Sequence, residues 1–245
     1  MKYAVVQFDI PLNLYGKITK SFIGSSPKNL TNLSERSFRN FSQKYNINYY
    51  KIKEPRINYS HPTWERFDIW LNPYWSDNYD AILYADTDVM AFPWAKNPFT
   101  YLSNKSIFYK CNYKKKSSEK YINGIRNEFP DNPLFKYSNK ILKSSALQAG
   151  VYILTKEFIL KTRDQISCDN FKNYQDDSIF LQDLLIKNKI NYMNIPEKFN
   201  YRSNMNLKDC LKCLIRQVHF AHIAGREKDK SYNKICKRLD FFLSL

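Results

Sequence analysis

Glycine is scarce, with five in 245 residues. That argues against a repeat architecture and against a loop-dominated chain. Neither G-x-G-x-x-G nor G-x-x-x-x-G-K-[ST] occurs, so a bound anion is not held by a glycine-rich phosphate loop. A metal ion is the obvious substitute. The five cysteines (Cys111, Cys168, Cys210, Cys213 and Cys236) are odd in number and irregularly spaced, which excludes a disulfide framework. Cys210-Leu-Lys-Cys213 is a lone C-x-x-C, and no second pair or suitably spaced histidine completes a zinc site. No 18 consecutive residues are apolar, so no segment reads as a membrane span. The opening KYAVVQF is too short for a signal-peptide core and runs into Gln7 and Asp9. A reducing, cytoplasmic location is expected. Zinc-finger spacing, a basic helix with heptads and an aromatic RNA-binding signature are all missing.

The chain is 43% hydrophobic and 16% aromatic, with 19 tyrosines and 17 phenylalanines. It is long and apolar enough for one large α/β domain with a substantial core. Lys and Arg number 39 against 23 Asp and Glu, a net charge of +16. Such a balance suggests an anionic partner, whether nucleic acid, an acidic membrane surface or a phosphorylated ligand. Coding bias toward Lys and Asn would give the same excess. The basic residues are scattered, and the densest run, Lys114-Lys115-Lys116, reads as a solvated loop.

Apolar runs and helical spacings alternate along the chain. Tyr3 to Phe8 reads as a buried first strand. Ser26-Pro27 resembles a cap with proline in the first helical turn, followed by Leu30, Leu33, Phe41 and Tyr45 at helical spacing. Ile47 to Ile52 is a second strand that closes a βαβ unit. Pro62-Thr63 starts a short helix with Trp64, Phe67 and Leu71 on one face. Further strands are expected at Ala81–Ala85, Ser106–Cys111, Leu147–Leu154, Ile190–Ile195 and within 216–223. Helices are expected after Thr155, over the DDSIFLQDLLIKN stretch and over YNKICKRLDFFLSL at the end. Strands alternating with helices predict a mostly parallel central sheet flanked by helices. In such sheets ligands bind beyond the carboxyl ends of the strands.

The stretch Ala81 to Met90, AILYADTDVM, puts Asp86 and Asp88 at such an end. Two aspartates at i and i+2 can turn to one side of a loop and offer hard oxygen ligands to Mg²⁺ or Mn²⁺, which bridges to a diphosphate. With this placement the chain resembles the nucleotide-sugar-dependent glycosyltransferases of the GT-A fold, a Rossmann-like single domain. A second segment, His222-x-x-Gly225-x-x-Lys228, is similar to the HxxGxxK motif of the glycogenin-like and galactosyltransferase-like retaining enzymes, glycosyltransferase family 8. That resemblance implies Asp86, Asp88 and His222 as metal ligands and Lys228 as a contact to the diphosphate. Neutral imidazole suits Mn²⁺, and a lysine point charge suits phosphate. His219 stands close enough to be the ligand instead. The Pro-Trp that usually follows the lysine is replaced by Asp229-Lys230.

Two weaker matches lie between these motifs. QAGVYIL resembles the family's NxG-plus-strand element, with Gln148 where asparagine is usual. YQDDSIFL resembles the segment that lines the donor sugar, and its register leaves Gln175, Asp176 and Asp177 grouped as candidates around the anomeric carbon. Asp176 and Asp177 are equally readable as helix N-terminal carboxylates. Gln7, Phe8 and Asp9 are positional candidates for the nucleotide base, and Asp86, Thr87, Arg66 and Gly225 for its phosphates. A solvent-exposed arginine is the other reading of Arg66.

The resemblance implies one domain over 1–245, with a nucleotide-binding half over about 1–90, a sugar and acceptor half over about 91–230 and a basic C-terminal helix over 231–245. The implied reaction is metal-dependent transfer of a sugar from a nucleotide diphosphate sugar, a UDP-sugar being the usual donor, to a hydroxyl on a glycan, lipid-linked or protein acceptor. Retention is implied, either on one face of the sugar or by double displacement through Asp176 or Asp177. Acceptor choice is expected in loops around Asn112 to Lys140. The terminal helix, with Tyr232, Ile235, Leu239 and Phe242 beside Lys234, Lys237 and Arg238, either packs on the sheet or touches an anionic membrane. The competing class is a nuclease, a nucleotidyltransferase or a nucleic-acid-binding protein. It would need a third carboxylate beside the pair and gives His222 no role.

Overall fold

The computed structural model describes every residue outside 12–13, 15–27, 58–61, 104–105, 111–114, 168, 171–173, 175, 203–206, 224–236, 238–239 and 242–245. Six strands form the central sheet in the order β2-β1-β3-β6-β5-β7. They are β1 (Tyr3–Phe8), β2 (Asn48–Ile52), β3 (Ala81–Ala85), β5 (Phe108–Lys110), β6 (Val151–Thr155) and β7 (Tyr192–Asn194). β1 runs parallel to β2 and to β3, and β5 parallel to β7. β6 is antiparallel to both of its neighbours. A smaller sheet joins β4 (Val89–Ala91), β9 (Phe220–His222) and β8 (Tyr201–Arg202) in the order β4-β9-β8.

The apolar runs form strands because both faces of the sheet are covered. Side chains alternate between two cores with the pleat's period of two. From β1, β3 and β6, Ala4, Val6, Ile82, Tyr84, Tyr152 and Leu154 enter one core, with Trp64, Phe67, Trp70 and Phe158. Val5, Leu83, Val151 and Ile153 enter the other, with Phe38, Phe41, Phe199 and Phe220. Helix α1 (Lys28–Tyr45) connects β1 to β2 and buries Leu30, Phe38 and Phe41. The stretch opening at Pro62 is a 3₁₀ turn over Pro62–Phe67 that leads into α2 (Asp68–Leu71). α3 (Pro73–Asn78) follows, set by Asn72 accepting from Tyr74 N and by proline in its first turn.

Several expected boundaries shift. The strand expected over 106–111 begins at Phe108 and is described as far as Lys110, and the one expected from Leu147 begins at Val151. Residues 147–150 form the turn before β6. The region expected as loop around Asn112 to Lys140 instead contains α4 (Lys115–Glu128) and α5 (Asn139–Ser145), so Lys115 and Lys116 open a helix. α4 was hard to foresee because it is mostly polar, with Ile122 and Ile125 as its only buried side chains among those described. α6 (Lys156–Thr162) is capped by Thr155, as expected. α7 (Asp177–Lys187) and α8 (Leu207–Ile215) complete the described helices. Cys210 and Cys213 are buried on α8, packed with Leu30, Met90 and Val218. The C-terminal helix expected over 231–245 lies largely outside the described residues. Of its described residues, Asp240 pairs with Arg36 of α1 and Phe241 is exposed. No helix among the described residues is long and apolar enough to cross a membrane.

Two features of this topology create the site. Parallel pairing brings the carboxyl ends of β1 and β3 to one edge. Because β6 runs the other way, its first residue pairs with the last of β3, Val151 with Ala85, so the turn before β6 lies on that edge too. In the small sheet Val89 pairs with His222. That pairing brings a C-terminal histidine beside the turn that follows β3.

Gln7, near the end of β1, ties this edge together. It is fully buried. Its Nε2 donates to Ser34 Oγ at 2.8 Å and to the backbone O of Asp86 at 3.0 Å, and its Oε1 accepts from Tyr49 O–H at 2.7 Å. Gln7→Leu keeps the volume and strands these partners in a dry interior. We expect a loss of about 1–3 kcal/mol in urea unfolding, and an unchanged midpoint would show that the three bonds contribute nothing.

Candidate active site

Asp86 leaves β3 with its N–H donating to Gly150 O at 2.8 Å, and a turn closes as Val89 N donates to Asp86 O at 3.1 Å. Thr87 occupies that turn, half-buried. Asp88 is fixed from the other side, where Ile223 N donates to its backbone O at 2.9 Å. The side chains of Asp86, Asp88 and His222 converge, with one potential ligand atom from each lying within 4.8 Å of the others. A Mg²⁺-sized ion with bonds near 2.1 Å holds adjacent ligands about 3 Å apart, so small rotamer changes close this set around a cation. Two carboxylate oxygens and an imidazole nitrogen suit Mn²⁺ or Mg²⁺.

Charge around the pair is strongly coupled. His222 Nε2 lies 3.3 Å from Asp88 Oδ1. Burial pushes the His222 pKa down, but the charge of Asp88, its hydrogen bond and the charge of Asp86 outweigh that and raise it above the ordinary histidine value. Asp86 Oδ1 accepts from Tyr84 O–H at 2.5 Å and from Arg66 Nη2 at 3.3 Å. Arg66 is buried, which overturns the exposed reading. Its Nε lies 2.7 Å from Asp177 Oδ2, and its Nη1 donates to Ala149 O at 3.3 Å. The guanidinium also sits 4.4 Å over the Tyr84 ring, a cation–π contact. Burial works against its charge, yet Asp177, Tyr84, Tyr152 and Asp86 raise its pKa well above the ordinary value, so Arg66 stays cationic. Asp177 is buried beside it. Burial pushes the Asp177 carboxyl up, Asp176 and Asp86 add to that, Arg66 opposes, and the result is about 7.

The grouped acidic candidates separate. Asp176 caps α7, accepting from Ser178 N at 2.8 Å and Ile179 N at 3.0 Å. Asp177, one residue on, joins Arg66 and the aspartate pair. Gln175, Gly225 and Lys228 lie outside the described residues. Gln148 is buried in the turn before β6. The candidates for the nucleotide base also diverge. Gln7 is wholly engaged inside the protein. Phe8 is half-buried and tilts against Tyr84, with ring centroids 6.5 Å apart. Asp9 is half-buried and pairs with Lys51 Nζ at 2.8 Å, which also pairs with Glu35 at 2.9 Å.

His219 is not brought to the aspartates. Its ring packs on Phe199, centroids 4.6 Å apart, and its backbone N–H donates to Lys198 O at 2.8 Å. Burial, then the charges of Lys198, Lys96 and Lys44, push its pKa down to about 4. Three residues escaped the sequence reading. Tyr84 belongs to the apolar run, and only its place two before Asp86, on the same strand face, hinted at a role. Asn200 carries no motif. Gly150 lies in the QAG segment with no role read from sequence, but a Cβ there would lie 2.4 Å from His222 Cε1 and 3.3 Å from Asp86 Oδ2. Its missing side chain is what admits the imidazole.

The architecture is the GT-A glycosyltransferase fold. The crystal structure of a glycosyltransferase involved in glycosylation of the PBCV-1 major capsid is similar with a TM-score of 0.54 at 10% identity, over 98% of this chain and 100% of that one. The galactosyltransferase LgtC, in complex with donor and acceptor sugar analogs, gives 0.52 at 11% identity, over 100% and 97%. The bifunctional glycosyltransferase WbbM gives 0.51 at 13% identity, over 97% of this chain and 49% of its own. By sequence the chain matches no protein-family model and no curated protein.

Gly150→Ala tests the close approach. Because the clash falls on a side chain at the site, we expect a folded protein whose Mn²⁺ affinity drops at least about tenfold, read by isothermal titration calorimetry. Unchanged affinity would place His222 outside the metal set. His219 gives a separate expectation. Its folded pKa lies below the ordinary histidine value of about 6.5, so between about 6.5 and 4 the unfolded chain binds a proton that the folded chain refuses. Stability contributed by neutral His219 is complete above that window and lost as pH falls through it. His219→Phe should lose less stability between pH 7 and pH 4.5 than the parent in denaturant titrations.

Proposed function

We propose that this protein transfers a sugar from a nucleoside diphosphate sugar, with a UDP-sugar as the first donor to test, to a hydroxyl acceptor. The carrying observation is the convergence of Asp86, Asp88 and His222 at the carboxyl edge of a GT-A sheet. These three would hold Mn²⁺ or Mg²⁺, which when bound neutralises the diphosphate and acts as a Lewis acid toward the leaving group. The competing nuclease reading asks for a third carboxylate among the metal ligands and gives His222 no role. Among the described residues the third converging ligand group is the His222 imidazole, while Asp177 is paired with Arg66.

The remaining roles belong to the chain's own groups. Arg66 stays charged and holds Asp86 and Asp177 in fixed positions, so the carboxylates need no reorganisation when substrate arrives. Asp177 presents a buried carboxyl next to the metal set, suited to accept a hydrogen bond from a sugar hydroxyl or to stabilise positive charge growing at the anomeric carbon. Lys228 and Gly225 keep the diphosphate contact that the motif implies. Retention follows from the family 8 resemblance: attack on the face that the diphosphate leaves requires no protein nucleophile, and Asp177 is the residue through which a double displacement would pass. The acceptor is a glycan, a lipid-linked sugar or a protein hydroxyl.

Ligand-dependent stability tests this reading. UDP at a hundredfold over its dissociation constant, with Mn²⁺, should stabilise the protein by about 2.7 kcal/mol. Asp88→Asn should fold yet lose this stabilisation and all metal-dependent hydrolysis of donor. Stabilisation by single-stranded DNA or RNA, with none by UDP and Mn²⁺, would favour the nuclease class. Full turnover by Asp88→Asn in Mn²⁺ would remove the metal-site reading.

A further inference from the structure

His222 faces the aspartates with one ring nitrogen, and a residue outside every motif controls the other. Asn200 is fully buried, one residue before β8. Tyr201 and Arg202 of β8 pair with Ala221 and His222 of β9, so the backbone places Asn200 at the histidine. Its Nδ2 donates to Gln148 O at 3.0 Å. That bond fixes the amide's orientation and leaves Oδ1 facing His222 Nδ1 at 2.9 Å. An amide oxygen only accepts, so Nδ1 must carry the hydrogen. Nε2 is then the nitrogen directed at Asp88 Oδ1, 3.3 Å away. On the ring's other flank, Gly150 leaves no room for a side chain between itself and the imidazole.

We propose that Asn200 is a positioning residue of the metal centre: it locks His222 in the Nδ1–H form and presents the Nε2 lone pair to a divalent cation shared with Asp86 and Asp88. The proposal rests on the metal-dependent reading above. A metal-ligating histidine gains orientation and basicity when its other nitrogen donates to a fixed acceptor. Here the acceptor is an amide anchored by the same turn that carries Gln148 and Gly150. The turn before β6 and the loop before β8 therefore act on the metal through one hydrogen-bonded chain, from Gln148 O through Asn200 to His222.

A purely structural Asn200 would serve only to tie its loop to Gln148 O through Nδ2. Two variants and one measurement separate the roles. Asn200→Asp retains the acceptor and loses the tie; Asn200→Leu loses both at similar volume. By calorimetry with Mn²⁺ alone, Asn200→Leu should bind about 10- to 100-fold more weakly than the parent, while Asn200→Asp should stay within a few-fold. Equal losses in the two variants, or parental affinity in Asn200→Leu, would overturn the proposal. Nitrogen-15 NMR of the metal-free parent needs no variant and should find neutral His222 protonated at Nδ1; protonation at Nε2 would refute the lock even if Asn200→Leu failed to fold. A parent that binds no Mn²⁺, yet shows the Nδ1–H form, would instead refute the metal-dependent reading.

Discussion

Asp86 and Asp88 leave a strand that is buried along its whole length, and two carboxylates this close repel each other and resist losing water. Most of the surrounding architecture addresses that conflict. Tyr84 and Arg66 satisfy one oxygen of Asp86, His222 faces Asp88, and Gln7 clamps the backbone between the two sheets. Tyr84 stands two residues before Asp86 on the same strand, but the others come from afar: Gln7 through the parallel pairing of β1, His222 through the small sheet that returns β9 to β4, and Arg66 from the 3₁₀ turn over Pro62–Phe67.

The antiparallel strand is the least conspicuous of these devices and has large consequences. Were β6 parallel to β3, its leading turn would lie at the opposite edge, and Gly150 and Gln148 would be some five residues of strand away. Reversing it puts Gly150 O on the Asp86 amide and opens space for the imidazole. Asn200 then reads the same turn from the far side. A histidine some 130 residues after the aspartates in sequence thus reaches them without a long flexible loop.

The backbone plan and the convergence of Asp86, Asp88 and His222 were legible in the sequence because both rest on local signals: apolar runs that end abruptly in acids, and a short motif around His222. The choice of His222 over His219 also came from spacing alone, and the packing of His219 against Phe199 agrees with it. What stayed hidden was burial and long-range pairing. Arg66 lies on a 3₁₀ turn of mixed polarity, so nothing local says that its guanidinium is enclosed by Asp177, Asp86 and a tyrosine ring. Asp176 and Asp177 look interchangeable until the first is seen to cap α7 and the second to face inward. Gln7 stands where a base-binding residue was expected, and only the packing of α1 and β2 around it shows that its side chain is fully engaged. α4 was missed because its face toward the core is narrow, not because its signal was contradictory.

The site and the chain as a whole carry opposite charge. The protein has a net charge of +16, yet among the described residues this edge sets the carboxylates of Asp86, Asp88 and Asp177 beside the buried guanidinium of Arg66. Local geometry decides the chemistry there, since distant surface charge is screened within about 8 Å at physiological salt. The cluster answers its negative excess by holding protons more tightly: the His222 pKa rises despite burial, and burial and its acidic neighbours lift Asp177 to about 7. On the proposed metal-dependent reading, a divalent cation would meet the same electrostatic demand more completely than a proton, because it would engage both aspartates at once.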